Sequence, residues 1–147
     1  MKKEVNEVQE INTSVLPFSI RELLAYAISV NKIDAEYELY KQLENRKLYG
    51  YKQNEKFIGC IGIELTEQQG CEIKQIAVSP FERGAGIGKR MINFIMLKHS
   101  LSLISAETDQ DAVSFYKRIG FCVTSIGEKY PGVERFWCEC LITEKVK

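Results

Sequence analysis

The feature that most narrows the fold is a change of hydrophobic period across one glycine-rich turn. Residues 71–79 read as a strand stopped by Pro80, residues 83–88 spell RGAGIG, and Ile87, Met91, Phe94 and Ile95 then recur at helical spacing. A strand that passes through glycines straight into a helix belongs to a sheet with helices packed on it. The same arrangement suits an anion: glycines let the backbone come close, and the start of a helix offers unpaired N–H groups and the favourable end of its dipole. A plain tight turn needs no such series. Alternate glycines at Gly84, Gly86 and Gly88, beside Arg83 and Lys89, favour a bound phosphate.

The flanking segments extend the pattern. The first dozen residues are polar and alternate weakly at Val5, Val8 and Ile11, which suits a ragged edge strand or a loose arm. From Ser19 onward Ile20, Leu23, Leu24, Ala27 and Ile28 make a helical stripe, with Ser19 and Glu22 at capping-box spacing. A second helix is expected over 34–45, with Tyr37, Tyr40 and Leu43 inward. Residues 48–53, 57–65 and 71–79 form three strands joined by short turns, an antiparallel meander. After the glycine turn and its helix come a strand over 101–106 and a helix over 109–119. Ala112, Phe115, Tyr116 and Ile119 face inward on that helix, and strands over 121–126 and 133–142 follow. With no repeat or linker, residues 1–147 are expected to form one domain. Its class is α/β in content and α+β by layout: a mixed, mainly antiparallel sheet flanked by helices on both faces.

Charge and composition exclude several functions. Lys plus Arg number 20 and Asp plus Glu number 20, so no net field holds a nucleic acid or an anionic membrane. The opening MKKEVNEVQEI has no apolar signal-peptide core, and no stretch approaches the roughly 18 apolar residues of a membrane span. A cytoplasmic chain is expected. The five cysteines form no CxxC pair and the one histidine, His99, is far from them, so no metal site is expected. They read as small buried hydrophobes in a reducing compartment, with Cys138 and Cys140 on one strand face as the minor redox alternative.

Which phosphate ligand the turn takes follows by elimination. A P-loop ending at Gly88-Lys89 would need glycine at position 83 and a hydroxyl at position 90, where Arg83 and Arg90 stand. A dinucleotide fingerprint would place its third glycine on Lys89 or Met91. Glu107 lies near the spacing of a ribose-binding acid, but the strands before the turn come as hairpins rather than a βαβ unit. What remains is R-x-x-G-x-G at Arg83, Gly86 and Gly88, within EIKQIAVSPFERGAGIGKRMINFIM, followed by AETDQDAVSFYKRIGF. Both segments resemble the coenzyme A-binding regions of the GNAT superfamily of N-acetyltransferases. The resemblance runs over residues 48–121, about half the chain. It departs at Asp109, where the family often has asparagine, and the family's first strand is hard to see.

The resemblance implies an acetyl-coenzyme A-dependent N-acetyltransferase working by direct attack in a ternary complex, with acetyl-coenzyme A as cosubstrate and an amine-bearing small molecule, peptide or protein as acceptor. Backbone N–H groups of Arg83, Gly84, Ala85, Gly86, Ile87, Gly88 and Lys89 would hold the pyrophosphate. Ile76, Ala77 and Val78 would run beside the pantetheine arm, with a bulge near Ile76-Ala77 splaying the strand and an oxyanion hole in the groove. Asp109, Ala112, Phe115, Tyr116 and Arg118 would complete the cofactor site, with Lys117 and Arg118 within reach of the 3′-phosphate. Tyr116 would protonate the leaving thiolate, although on spacing alone it also fits a core stripe. Its ordinary pKa of about 10 stands close enough to a thiol's of about 8.5 for such a transfer. Glu72 occupies the place of the glutamate base of the histone acetyltransferases, with Glu64 on the neighbouring strand as competitor, and both also read as exposed hairpin carboxylates. The same fold also carries non-catalytic coenzyme A-binding sensory modules, which is the alternative. Homodimers are common in the family, and no interface is visible in the sequence.

Overall fold

The computed structural model describes residues 6–142. Seven strands form one sheet: β1 (Asn6–Glu10), β2 (Arg46–Gln53), β3 (Lys56–Thr66), β4 (Gly70–Val78), β5 (Leu103–Asp109), β6 (Cys122–Tyr130) and β7 (Val133–Leu141). The helices are α1 (Phe18–Leu24), α2 (Ile33–Gln42), α3 (Ile87–Lys98) and α4 (Val113–Arg118). Strand order is β1-β2-β3-β4-β5-β7-β6, and β4–β5 is the parallel neighbour pair in an otherwise antiparallel sheet. This is the mixed sheet that the period changes predict.

Local chemistry accounts for the hairpins. Asn54 and Glu55 carry φ of 50° and 74° in the β2–β3 turn, and Gln68 and Gln69 carry 62° and 59° in the β3–β4 turn. Paired left-handed residues match the twist of flanking antiparallel strands. β1 resolves the expectation of strand or arm: it pairs antiparallel with β2 from Asn6↔Gln53 to Glu10↔Tyr49. The capping box at Ser19 and Glu22 is not used. The cap lies two residues earlier, at Pro17, whose carbonyl accepts from the N–H groups of Ile20 and Arg21 at 3.1 and 3.0 Å. α2 stops at Gln42 because Leu43 is extended, short of the expected end.

Helices cover both faces, and the core divides accordingly. On one face α1 and α2 bury Ile20, Leu23, Leu24, Ile33, Tyr37 and Tyr40 against Leu48, Cys60 and Ala77. On the other, Ile87, Met91, Ile92 and Ile95 of α3 and Val113 and Tyr116 of α4 pack on Tyr49, Ile61, Ile73, Ile104 and Cys138. The α1–α2 cluster ends at β4, whereas the α3–α4 cluster continues across β5 and β7. No helix among the described residues is long and apolar enough to cross a membrane. All five cysteines are free. Cys60, Cys71 and Cys138 are buried as expected, but Cys122 is exposed at the start of the edge strand β6, where Val123 is the residue that packs on the α3–α4 core.

Candidate active site

The site begins where the parallel strands part. β4 and β5 pair only from Gly70↔Leu103 to Ile73↔Ala106, yet β4 runs on to Val78 with β3 and β5 to Asp109 with β7. A wedge opens between them, forming a cavity of about 710 Å³. The register of β3 and β4 shifts at the same point: Ile63 faces Ile73 but Gly62 faces Gln75, so Lys74 is an extra residue. The bulge therefore lies at Lys74, earlier than the expected Ile76-Ala77. One inserted residue exchanges the faces of everything after it. Cys71 and Ile73 enter the α3–α4 core, but beyond the bulge it is Ile76 and Val78 that pack on that core, while Ala77 turns to α1 and α2.

Backbone phase follows from the same register. The Ser79 N–H donates to the Ile58 carbonyl at 2.8 Å, which makes Ser79–Ile58 and Ala77–Cys60 the hydrogen-bonded pairs of the ladder. The alternate residues, Ile76 and Val78, then point their N–H and C=O groups away from β3 into the wedge. The Val78 carbonyl accepts from Arg83 Nε at 2.9 Å, and the Arg83 guanidinium also lies over the Tyr26 ring, 5.2 Å from its centroid.

The glycine turn closes one end of the wedge. Gly84 and Gly86 hold φ of 86° and 83°, and a Cβ on either would meet nothing within 4 Å, so the loop presents bare backbone to open space. Gly86 caps α3 without any side-chain cap. The first helical bond runs from Arg90 N–H to the Gly86 carbonyl at 3.0 Å, which leaves the N–H groups of Ile87, Gly88 and Lys89 outside the helical ladder. Gly88 serves another purpose: a Cβ there would sit 2.9 Å from the Phe115 ring, so its absence lets α4 approach α3.

Tyr116 stands on the opposite wall. Phe115 and Phe121 meet its ring edge-on at centroid distances of 5.1 and 5.2 Å. Burial, with a smaller contribution from Cys138, pushes its phenol well above the ordinary tyrosine range. Asp109 is engaged locally: its Oδ1 accepts from the Ala112 N–H at 3.0 Å at the start of α4. Ile76, Ala77, Val78, Arg83, Gly84, Gly86, Ile87, Gly88, Lys89, Asp109, Ala112, Phe115, Tyr116 and Arg118 all line the one cavity, while Ala85 does not.

The two carboxylates singled out as bases lie outside that lining. Glu64 and Glu72 face each other across β3 and β4, and both approach Lys74 Nζ, at 3.8 and 3.6 Å. Lys74 itself lines the cavity, so the pair is linked to it through that side chain. Tyr26, Lys74, Gln75 and Arg135 also line it with no sequence motif to mark them, as does Glu107, whose spacing suggests only a ribose acid. Glu107 is the first β5 residue past the parting. It accepts from Arg135 Nε at 3.0 Å and has Lys129 Nζ at 3.8 Å. Strand alternation puts Glu107 on the face opposite Ala106, but nothing local says that a gap begins there. His99 ends α3, with Nε2 2.9 Å from the Tyr49 hydroxyl. No cluster of three or more metal-ligating side chains occurs among the described residues.

Comparison with known proteins bears on this arrangement. A family model described as the Acetyltransferase (GNAT) family matches residues 17–121. An uncharacterized N-acetyltransferase in the lysA 3′ region of Bacillus methanolicus is 35% identical over 63 residues, 43% of this chain and 52% of that protein. UPF0157 protein YqkA of Bacillus subtilis (strain 168) is 28% identical over 125 residues, 81% of this chain and 36% of that protein. The chain thus spans about half or less of these curated relatives. The structure of a GNAT family acetyltransferase from Elizabethkingia anophelis with acetyl-CoA bound shares the fold, with a TM-score of 0.73 at 20% identity over 93% of this chain and 98% of that one.

Proposed function

The chain belongs to the GNAT acetyltransferase family, and from that premise we propose that it is an N-acetyltransferase that takes an acetyl group from acetyl-coenzyme A and passes it to an amine by direct attack, both substrates being bound together. One observation carries this assignment: a single cavity joins a free strand edge, an uncapped helix start on left-handed glycines, and a buried tyrosine. The empty space above Gly84 and Gly86 fits a pyrophosphate against backbone. Ile76 and Val78 would hold the pantetheine arm as an added strand. Arg118, on the rim, suits the 3′-phosphate. An acetyl-CoA-bound relative with the same fold supports the ligand choice.

The thioester supplies an activated acyl group, and the chain's residues supply position and protons. N–H groups at the parting of β4 and β5 would stabilise developing negative charge on an acyl oxygen. Tyr116 keeps its proton because burial disfavours the phenolate, and it would donate to the departing thiolate. Glu72 would take the amine's proton through water, since it does not itself line the cavity, with Glu64 as the weaker candidate.

The test is thiol release from acetyl-coenzyme A in the presence of a panel of primary amines. Turnover that depends on the amine is expected. Tyr116→Phe should lower kcat by about 10²–10⁴-fold with coenzyme A affinity retained. A chain that binds coenzyme A but releases thiol no faster with any amine would instead be a non-catalytic coenzyme A-binding module.

A further inference from the structure

A buried polar cluster sits against the bulge that opens the wedge. On the α1–α2 face, Gln75 Oε1 accepts a short hydrogen bond from the Tyr40 hydroxyl, and Gln75 Nε2 donates to Glu36 Oε2 at 2.9 Å. Glu36 Oε2 also accepts from the Arg46 guanidinium at 2.5 Å, and that guanidinium lies over the Tyr40 ring, 4.6 Å from its centroid. Tyr40 and Glu36 come from α2 and Gln75 from β4, so α2 holds the carboxamide directly, while Arg46 of β2 braces Glu36 and Tyr40. Gln75 and Arg46 are each 6% exposed. Across the ladder from Gln75 stands Gly62, where a Cβ would come within 1.9 Å of the Tyr40 hydroxyl and 2.8 Å of Gln75 Oε1. The missing side chain on β3 is what lets the helix reach across to β4.

The cluster matters because Gln75 is the first residue after Lys74. Without the extra residue, strand alternation would send Gln75 the way of Cys71 and Ile73, into an apolar core that offers its carboxamide nothing. With it, the carboxamide finds two partners on the other face. A polar group buried without partners is strongly disfavoured, so the cluster selects the bulged register. Register in turn decides which backbone groups face the wedge. A slip of one residue would turn the N–H and C=O groups of Ile76 and Val78 toward β3 and present those of Gln75 and Ala77 instead.

We propose that Gln75, held by Tyr40 and Glu36 across the gap at Gly62, is a positioning residue that fixes the bulge at Lys74 and so sets the strand edge offered to the pantetheine arm. The proposal rests on the assignment of this wedge to acetyl-coenzyme A. It predicts that loss of the clamp harms ligand binding in molecules that are still folded.

Two variants test it, Gln75→Leu and Tyr40→Phe. Their coenzyme A affinity is measured by calorimetry on the folded fraction, and their β3–β4 register by cross-strand amide contacts in NMR spectra. Gln75→Leu should weaken coenzyme A binding by about tenfold or more, the order expected for loss of one or two net hydrogen bonds. It should also replace the Gly62–Gln75 contact with a shifted pairing. Tyr40→Phe, which keeps the ring packed, should weaken binding by a few-fold, and the double variant should bind no worse than Gln75→Leu. A merely structural cluster would lower the melting temperature and leave the register unchanged, which would overturn the proposal even if affinity fell, because Gln75 itself lines the cavity. If Gln75→Leu does not fold, wild-type affinity and register in Tyr40→Phe overturn it equally. Failure of the wild type to bind coenzyme A would sink the ligand assignment, while the register of the variants would still decide whether the clamp sets the bulge.

Discussion

At the scale of single residues, burial sets two protonation states with opposite consequences. The raised pKa of Tyr116 comes first from desolvation and then from Cys138. A tyrosine is neutral while protonated, so raising its pKa extends the pH range over which the proton is present, while widening the gap to the thiolate that would receive it beyond the one the ordinary values give. In the proposed reaction, kcat at saturating substrates should therefore show no decline from Tyr116 ionisation up to about pH 10, the ordinary tyrosine value. A basic limb present in the wild type and absent in the slow Tyr116→Phe enzyme would contradict this. His99 is shifted the other way: burial first, then Lys98 and Lys47, lower its pKa. The unfolded chain then takes up the proton first as pH falls through about 6.5, so stability is full above that value and is lost on acidification toward the folded pKa. His99→Gln can keep a hydrogen bond to Tyr49 without titrating. The melting temperature of the wild type should fall more steeply between pH 7 and pH 5 than that of the variant, and parallel curves would show that His99 does not contribute.

At the scale of elements, the glycine loop is where conformation rather than contact does the work. Gly86→Ala meets no atom but must hold φ of 83°, which costs about 1–2 kcal/mol for an L side chain. The variant should melt several degrees lower and bind coenzyme A more weakly, since the loop relaxes away from the backbone geometry that faces the ligand; unchanged affinity would remove the loop from the site. This loop was legible in the sequence because its signals are local: strand period, glycines and helix stripe lie within two dozen residues. The β2–β3–β4 meander was legible for the same reason. β1 was legible only as one of two alternatives, because only Val8 contributes to the core and the strand is held by backbone pairing with β2. β6 runs to Tyr130, beyond the expected end at residue 126, because almost all of it is exposed and no alternation marks it. The bulge at Lys74 was hidden most completely, since one inserted residue changes no composition and its neighbours remain β-formers. Tyr40 and Gln75 carry the information that places it, but they are far apart in the chain.

At the scale of the molecule, the sheet is two blocks joined at a narrow seam. β1 to β4 are tied by long antiparallel ladders, as are β5, β7 and β6, whereas β4 and β5 share only four register positions, Gly70–Ile73 with Leu103–Ala106. On the α1–α2 face the apolar cluster stops at β4, so the α3–α4 core carries most of the joint. The cavity walls likewise come from both blocks, from Tyr26 after α1 to Arg135 on β7, which is why a motif search finds the loop but not the far wall. A ligand lying in the wedge would touch both blocks and add contacts where the sheet supplies fewest. Acetyl-coenzyme A at a hundred times its dissociation constant should stabilise the fold by about 2.7 kcal/mol, a melting-temperature rise of about 5–10 °C for a chain of this size. Hydrogen exchange locates the effect. Protection should rise together at residues 74–78 and 107–109, on both sides of the seam, as well as at the start of α3. NADH carries a pyrophosphate but no pantetheine arm, so it should leave 74–78 and 107–109 unprotected. If acetyl-coenzyme A protected the α3 start alone, the wedge would not be the pantetheine channel, because a chain bound along β4 cannot leave the edge of that strand exchanging as before.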